Sequence, residues 1–83
     1  MEKAIALRYD DTLPAPLVVA RGSAHLAERI ERVAEEADVR IVTDPILAES
    51  LFTVEVGELI PEELYAAVAE LLAFVLRAEG RAR

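Results

Sequence analysis

Hydrophobic and polar positions divide the chain into short blocks whose period changes. Ala4 to Tyr9 (AIALRY) is apolar at nearly every position, as expected of a strand covered on both faces. Asp10-Asp11-Thr12-Leu13-Pro14 reads as a turn, punctuated by acids and proline. Pro16 to Ala20 (PLVVA) predicts a second strand. Pro16 has no N–H for a ladder, so it fits the first position or an edge. Arg21-Gly22-Ser23 closes that strand, with Ser23 as the N-cap of a helix. Leu26, Ile30, Val33 and Ala37 then recur at helical spacing, with Glu28, Arg29, Glu31, Arg32, Glu35 and Glu36 on the other side. Glu28–Arg32 and Arg32–Glu36 are opposite charges at i,i+4.

Val39 to Val42 (VRIV) predicts a third strand, which with the preceding strand and helix makes a right-handed βαβ unit. Asp44-Pro45 opens a short helix, Asp44 capping and Pro45 at the first helical position, with Ile46, Leu47 and Leu51 on its apolar side. Thr53 to Val56 is extended and stops at Gly57. Pro61 opens the last helix, with Glu62 and Glu63 in the first turn where the helix dipole favours acids. This helix is expected to reach about Arg77, and residues 79–83 read as a frayed basic tail. The pattern predicts one small α/β domain over residues 1–83: a mixed sheet of three to four strands with one βαβ unit, flanked by three helices.

The last helix carries more apolar surface than one sheet face covers. Leu64, Val68, Leu71 and Val75 form one stripe; Tyr65, Ala69, Leu72 and Leu76 form a second, rotated by one residue. Between Leu64 and Leu76 only Glu70 is charged. A helix on a sheet needs a single apolar stripe. The second must be covered by the short helix at 45–52, by a copy of the chain, or by a partner protein.

Composition narrows the chemistry. The 83 residues hold 9 basic and 16 acidic side chains, a net charge of −7, which argues against nucleic acid, where phosphates call for clustered Lys and Arg. Cys is absent and His25 is the single histidine, so neither disulfides nor the usual zinc sites are expected, and no cofactor is implied. There is no Asn and no Gln, and eight of the nine basic residues are Arg. That bias fits heat adaptation or codon usage equally. Met1-Glu2-Lys3 lacks the start of a signal peptide, and the stretch from Leu64 to Leu76 falls short of the ~20 residues a spanning helix needs. A cytoplasmic protein without membrane insertion is expected.

No enzyme constellation emerges. Ser23 or Ser50 with His25 would be the only nominal triad, but Ser23 is better used as a cap and His25 sits at an exposed helix start. Glu35-Glu36 and Glu62-Glu63 lie on solvated helix faces rather than in a site that raises a carboxyl pKa. Arg21-Gly22-Ser23 could hold an anion at a helix N-terminus, but a lone Gly is a weak signal and a plain tight turn is the better reading.

The ordered blocks AIALRYD, PAPLVVARGS, VRIVTDPILAESLF and VEVGELIPEELYAAVAELLAFV resemble the cytoplasmic C-terminal domain of the FlhB flagellar export-gate proteins and the related YscU proteins of injectisomes. The resemblance covers residues 4–77 and is sharpest over IPEELYAAVAELLAFV. In that family a transmembrane half precedes this domain, which switches the type III export apparatus from early to late substrates. The family hallmark, a self-cleaving Asn-Pro-Thr-His loop before the first strand, has no match. Its Thr and His positions hold Met1 and Glu2, and a chain without Asn cannot cyclise an Asn side chain. The family strand upstream of that loop is not matched either, so the resemblance implies an open sheet edge able to accept a strand from a membrane-bound gate subunit. The family pattern Pro-Pro-Leu-Ala-Arg stands here as Pro45-Ile46-Leu47-Ala48-Glu49, with a charge reversal at Glu49.

The resemblance implies a non-enzymatic protein-interaction module of the export apparatus that binds export substrates and gate subunits. Substrates are expected on a small apolar patch corresponding to Ala15, Pro16, Ala69 and Leu72. The alternative is a regulatory or orphan domain, homodimeric through its last helix, that no longer acts in export.

Overall fold

Asp10 turns the chain. Its carboxylate accepts from the Thr12 amide (2.8 Å), the Thr12 hydroxyl and Arg8 Nε (3.1 Å), and its carbonyl accepts from the Leu13 amide at 3.0 Å. A short acid that takes hydrogen bonds from residues ahead of it is how Asp makes a turn. The computed structural model describes residues 2–81, and this turn joins its two strands, β1 (Lys3–Arg8) and β2 (Leu17–Ser23). They pair antiparallel, from Lys3 opposite Ser23 to Arg8 opposite Leu17. The register shifts between Ala6 and Leu7: Ala6 faces Ala20 and Leu7 faces Val18, so Val19 is the extra residue of a bulge. The bulge puts Val18 and Arg21 on the same face as Ile5 and Leu7.

That face meets α2 (Pro45–Leu51) and α3 (Tyr65–Arg81). Ala15, Val18, Leu47, Leu51, Val54, Ile60 and Val68 form the core, with Ile5, Leu7, Leu64, Leu71 and Leu72 against it. The opposite face carries Ala4, Ala6, Ala20 and Gly22, small enough for α1 (His25–Glu36) to approach closely. A Cβ on Gly22 would collide with the Leu26 side chain. Because the floor is small, α1 turns Ala27 into it and buries that residue alone, while Leu26 and Val33 of the expected stripe stay exposed.

Other expectations change with the fold. Ser23 is the last residue of β2 and caps nothing; the N-cap is Ala24, at φ 54°, without a side-chain bond. Arg21-Gly22-Ser23, read as a tight turn, is thus strand. Neither Glu28–Arg32 nor Arg32–Glu36 forms an ion pair; Glu28 turns to His25. Asp38, at φ 59°, ends α1 in the left-handed region, and the Val39 amide reaches the Ala34 carbonyl at 2.9 Å, as in a Schellman end. Asp44 caps α2 as expected, accepting from the Leu47 amide at 3.1 Å.

The α/β class and the three helices stand, but among the described residues the sheet has two strands, not three or four. Residues 39–42 join no strand, so no βαβ unit closes. A strand needs a neighbour's ladder, and the expected parallel partner edge is not offered: β2 is flanked by β1 on one side and by residues 57–60 on the other. A 3₁₀ turn (Glu62–Leu64) precedes α3 after Pro61. α3 continues past Arg77 to Arg81. Residues 82 and 83 of the expected tail lie outside the described residues.

Candidate functional site

α3 presents two apolar stripes with different fates. Val68, on the first, is fully buried, and Leu64 and Leu71 lie against the core. On the second, Leu72 is half-buried and touches the core, Ala69 is exposed, and Tyr65 and Leu76 are 45% and 67% exposed. α2 does not cover this stripe. Ala15 is 3% exposed and Pro16 is buried at the start of β2, where the Pro16 carbonyl accepts from the Ile60 amide at 2.9 Å. Ala15 and Leu72 therefore join in one apolar assembly, with Ala69 one turn before Leu72 on the solvent side. Of the four residues singled out in the sequence, Ala15 and Pro16 are buried, Leu72 is half-buried and Ala69 is exposed, beside the exposed Tyr65 and Leu76.

The sheet edges give a second feature. The edge of β2 is closed: Val18 N–H donates to the Glu58 carbonyl (2.9 Å), Gly57 N–H to the Val18 carbonyl (2.8 Å), and Leu17 bridges Leu59. Gly57 sits at φ 93°, a conformation that side chains resist. The outer edge of β1 has no partner strand among the described residues. After α1, Val39 and Ile41 are exposed in the segment that joins no sheet and line a shallow groove with Glu35, Asp38 and Arg40. The sequence hid this region because an apolar block looks the same whether or not a partner strand exists.

A cation cluster fixes α2 to the sheet. Arg21 Nη1 donates to the carbonyls of Phe52 (2.6 Å) and Val54 (3.1 Å), and Nη2 pairs with Glu55 at 3.1 Å. Arg21 and Lys3 both lie over the Phe52 ring, 5.4 and 5.3 Å from its centre. Lys3 also pairs with Glu49 at 3.0 Å, which explains the acid in Pro45-Ile46-Leu47-Ala48-Glu49.

The residues that could carry chemistry do not converge. His25 is fully exposed and touches Glu28 at 3.4 Å; Ser23 lies in β2, and the Ser50 carbonyl accepts from the Thr53 hydroxyl. Among the described residues no group of His, Cys, Asp or Glu could hold a metal ion, and no helix is long and apolar enough to cross a membrane. Asp10 has its carboxyl held below the usual carboxylate range by the Thr12 hydroxyl first, then by the Thr12 amide and Arg8. That serves the turn. The arrangement suits recognition of another polypeptide, by apolar contact on α3 and by backbone pairing on β1.

The profile of the FlhB HrpN YscU SpaS family matches residues 1–75. The flagellar biosynthetic protein FlhB of Bacillus subtilis is 42% identical over 80 residues, 94% of this chain but 22% of that protein. The B. subtilis protein YlqH is 40% identical over 78 residues, 93% of this chain and 84% of that one. The crystal structure of the cytoplasmic domain of FlhB from Shewanella putrefaciens superposes with a TM-score of 0.84 at 39% identity, covering 89% of this chain and 61% of that one. The chain thus spans about a fifth of the length of its FlhB relative, and it belongs to the FlhB, HrpN, YscU and SpaS family.

Proposed function

We propose that this domain is a non-enzymatic protein-interaction module of the flagellar or type III export apparatus, working at its cytoplasmic face. It substitutes for, or modulates, the export gate's substrate-specificity domain. The observation that carries this reading is the uncovered second stripe of α3, in a fold shared with the FlhB cytoplasmic domain. Export substrates dock on Ala69 and Leu72, supported from beneath by Ala15 and Pro16. Capture of early export substrates by the purified domain tests it. Ala69→Asp places a charge on an exposed position, so the fold survives while capture falls at least tenfold. Leu72→Asp has the same aim, but Leu72 also touches the core, so its circular dichroism must match the parent. Undiminished capture by both folded variants removes the patch.

The open edge of β1 favours a gate subunit as second partner. Its unpaired N–H and C=O groups match the ladder of an extended segment, and such edges recruit strands. A peptide of the gate strand that precedes the cleavage loop in the family should slow amide exchange in residues 4–9. Equal protection with and without the peptide defeats this docking.

A further inference from the structure

Two sets of hydrogen bonds fix which backbone groups of β1 face outward. The Ala24 amide donates to the Glu2 carbonyl at 3.1 Å, across a pair that continues the register of Lys3 with Ser23 and Ala4 with Gly22. In an antiparallel ladder, pairs that exchange hydrogen bonds alternate with pairs whose N–H and C=O groups point away from each other. Glu2, Ala4 and Ala6 therefore turn their backbone groups toward β2, and Lys3, Ile5 and Leu7 turn theirs to the outer edge. The other end of β2 agrees independently. Val18, opposite Leu7, uses both its N–H and its C=O on Glu58 and Gly57, away from β1. The Leu7 pair is thus of the non-bonded kind, and the alternation along β1 carries through the bulge at Val19.

Side chains follow the same alternation. Ile5 and Leu7 lie on the face of α2 and α3, half-buried against the core, and Lys3 holds Glu49 and the Phe52 ring on that face. Ala4 and Ala6 lie on the face of α1. The outward N–H and C=O groups recur every second residue, about 7 Å apart. That spacing matches an extended backbone, whereas a helix keeps its backbone groups to itself. A strand laid on this edge sets one side chain beside Ile5 and another beside Leu7, two residues apart and on the core face. Polar groups placed there lose water against half-buried apolar neighbours without gaining a partner.

We infer that the gate-subunit segment pairs with the backbone of Lys3, Ile5 and Leu7 alone, and that Ile5 and Leu7 select a segment with apolar side chains two residues apart. This rests on the reading of the β1 edge as the dock for a gate subunit, and adds to it the register and the chemistry of the guest.

Residue-resolved amide exchange of the full chain reads the register before any guest is present. Ala4 and Ala6 should be protected, and Ile5 and Leu7 should exchange at least tenfold faster. A saturating peptide of the gate strand should then give Ile5 and Leu7 at least tenfold more added protection than Ala4 and Ala6. Methylating the peptide's backbone nitrogens at every second residue should weaken binding at least tenfold in one phase and less than threefold in the other. Ile5→Thr keeps the branched shape and should weaken the peptide at least threefold, its circular dichroism matching the parent. Ala4 and Ala6 exchanging as fast as Ile5 and Leu7 in the free domain overturns the register without touching the docking. A peptide that binds but protects all four amides alike overturns the inference and leaves the docking in place. So does one that tolerates methylation equally in both phases, or that binds the folded Ile5→Thr variant undiminished. A peptide that does not bind at all overturns both.

Discussion

Residues 57–60, beside β2, and the segment VRIV both carry apolar side chains and end differently. Beside β2, residues 57–60 supply backbone partners to Pro16 and Val18, and the side chains that follow, Ile60 above all, enter the core at 2% exposure. The segment VRIV is as apolar as many strands, but it joins no sheet, and Val39 and Ile41 stay wet. Burial in this domain therefore follows position against the core: Ile60 is covered because the paired segment carries it there, while Val39 and Ile41 have nothing over them. Apolar content alone does not decide it.

Cutting one side chain in each segment tests this most strongly. Ile60→Ala leaves a cavity among Ala15, Val18, Leu51 and Val68 and should cost about 2–5 kcal/mol of unfolding free energy in urea titration. Ile41→Ala removes the same atoms from an exposed site and should change stability by less than about 0.5 kcal/mol. Similar losses at the two sites would show that the segment VRIV is as firmly held as the closed edge. The floor beneath α1 gives an intermediate effect. Gly22→Ala drives a methyl into Leu26, and overpacking should cost about 1–3 kcal/mol. Adding Leu26→Ala should recover only part of that, because the Cβ at position 26 itself lies 2.8 Å from the new methyl, whereas Leu26→Gly removes the whole contact. No recovery with glycine at 26, beyond the cost of that change alone, would mean that the strand backbone, rather than the Leu26 contact, requires Gly22. Asp44→Ala removes the cap of α2 and should cost about 1 kcal/mol by the same titration, with little change in the amide exchange of β2.

Much of this was legible in residue order, and the failures share a cause. The hairpin acids, the Asp44-Pro45 start of α2 and the double stripe of α3 all rest on local rules: turn chemistry, capping and helical period. Pro61, read as the start of the last helix, instead precedes a 3₁₀ turn, and α3 begins at Tyr65. The readings that failed needed a distant partner. VRIV was assigned to the sheet on its own merits, but pairing depends on which edge is free, and that is settled by residues 57–60. Ser23 looks like a cap because serine caps are common, yet the ladder with Lys3 reaches it first. The stripe of α1 failed for the opposite reason: a floor of Ala and Gly rewards a small residue at closest approach, so Ala27 won over Leu26 and Val33. Of the site, the second stripe of α3 was visible in the sequence, whereas the burial of Ala15 and Pro16 needed the fold.

The smallest expected effect lies at the turn that joins the two strands, where pH acts on one exposed carboxylate. Thr12 donates to Asp10 from its hydroxyl and its amide, and Arg8 adds a third donor, so the ionised acid is favoured and its folded pKa is lowered. A lowered folded pKa makes a contribution that is complete above the unfolded value and is lost as pH falls through the folded one. The turn should therefore hold at neutral pH and loosen only in acid, below the ordinary carboxylate range. The closed edge near Gly57 rests on backbone bonds without a titrating group and should stay protected there. An NMR titration of the Asp10 carboxyl carbon reads this directly. Thr12→Val removes the hydroxyl, the largest cause of the shift, and should move the Asp10 midpoint to higher pH while the Val18 amide remains protected. An unmoved midpoint would transfer the effect to the Thr12 amide and Arg8. Loss of Val18 protection in step with Asp10 would mean that the turn and the closed edge melt as one unit, erasing the contrast between the two sides of the sheet.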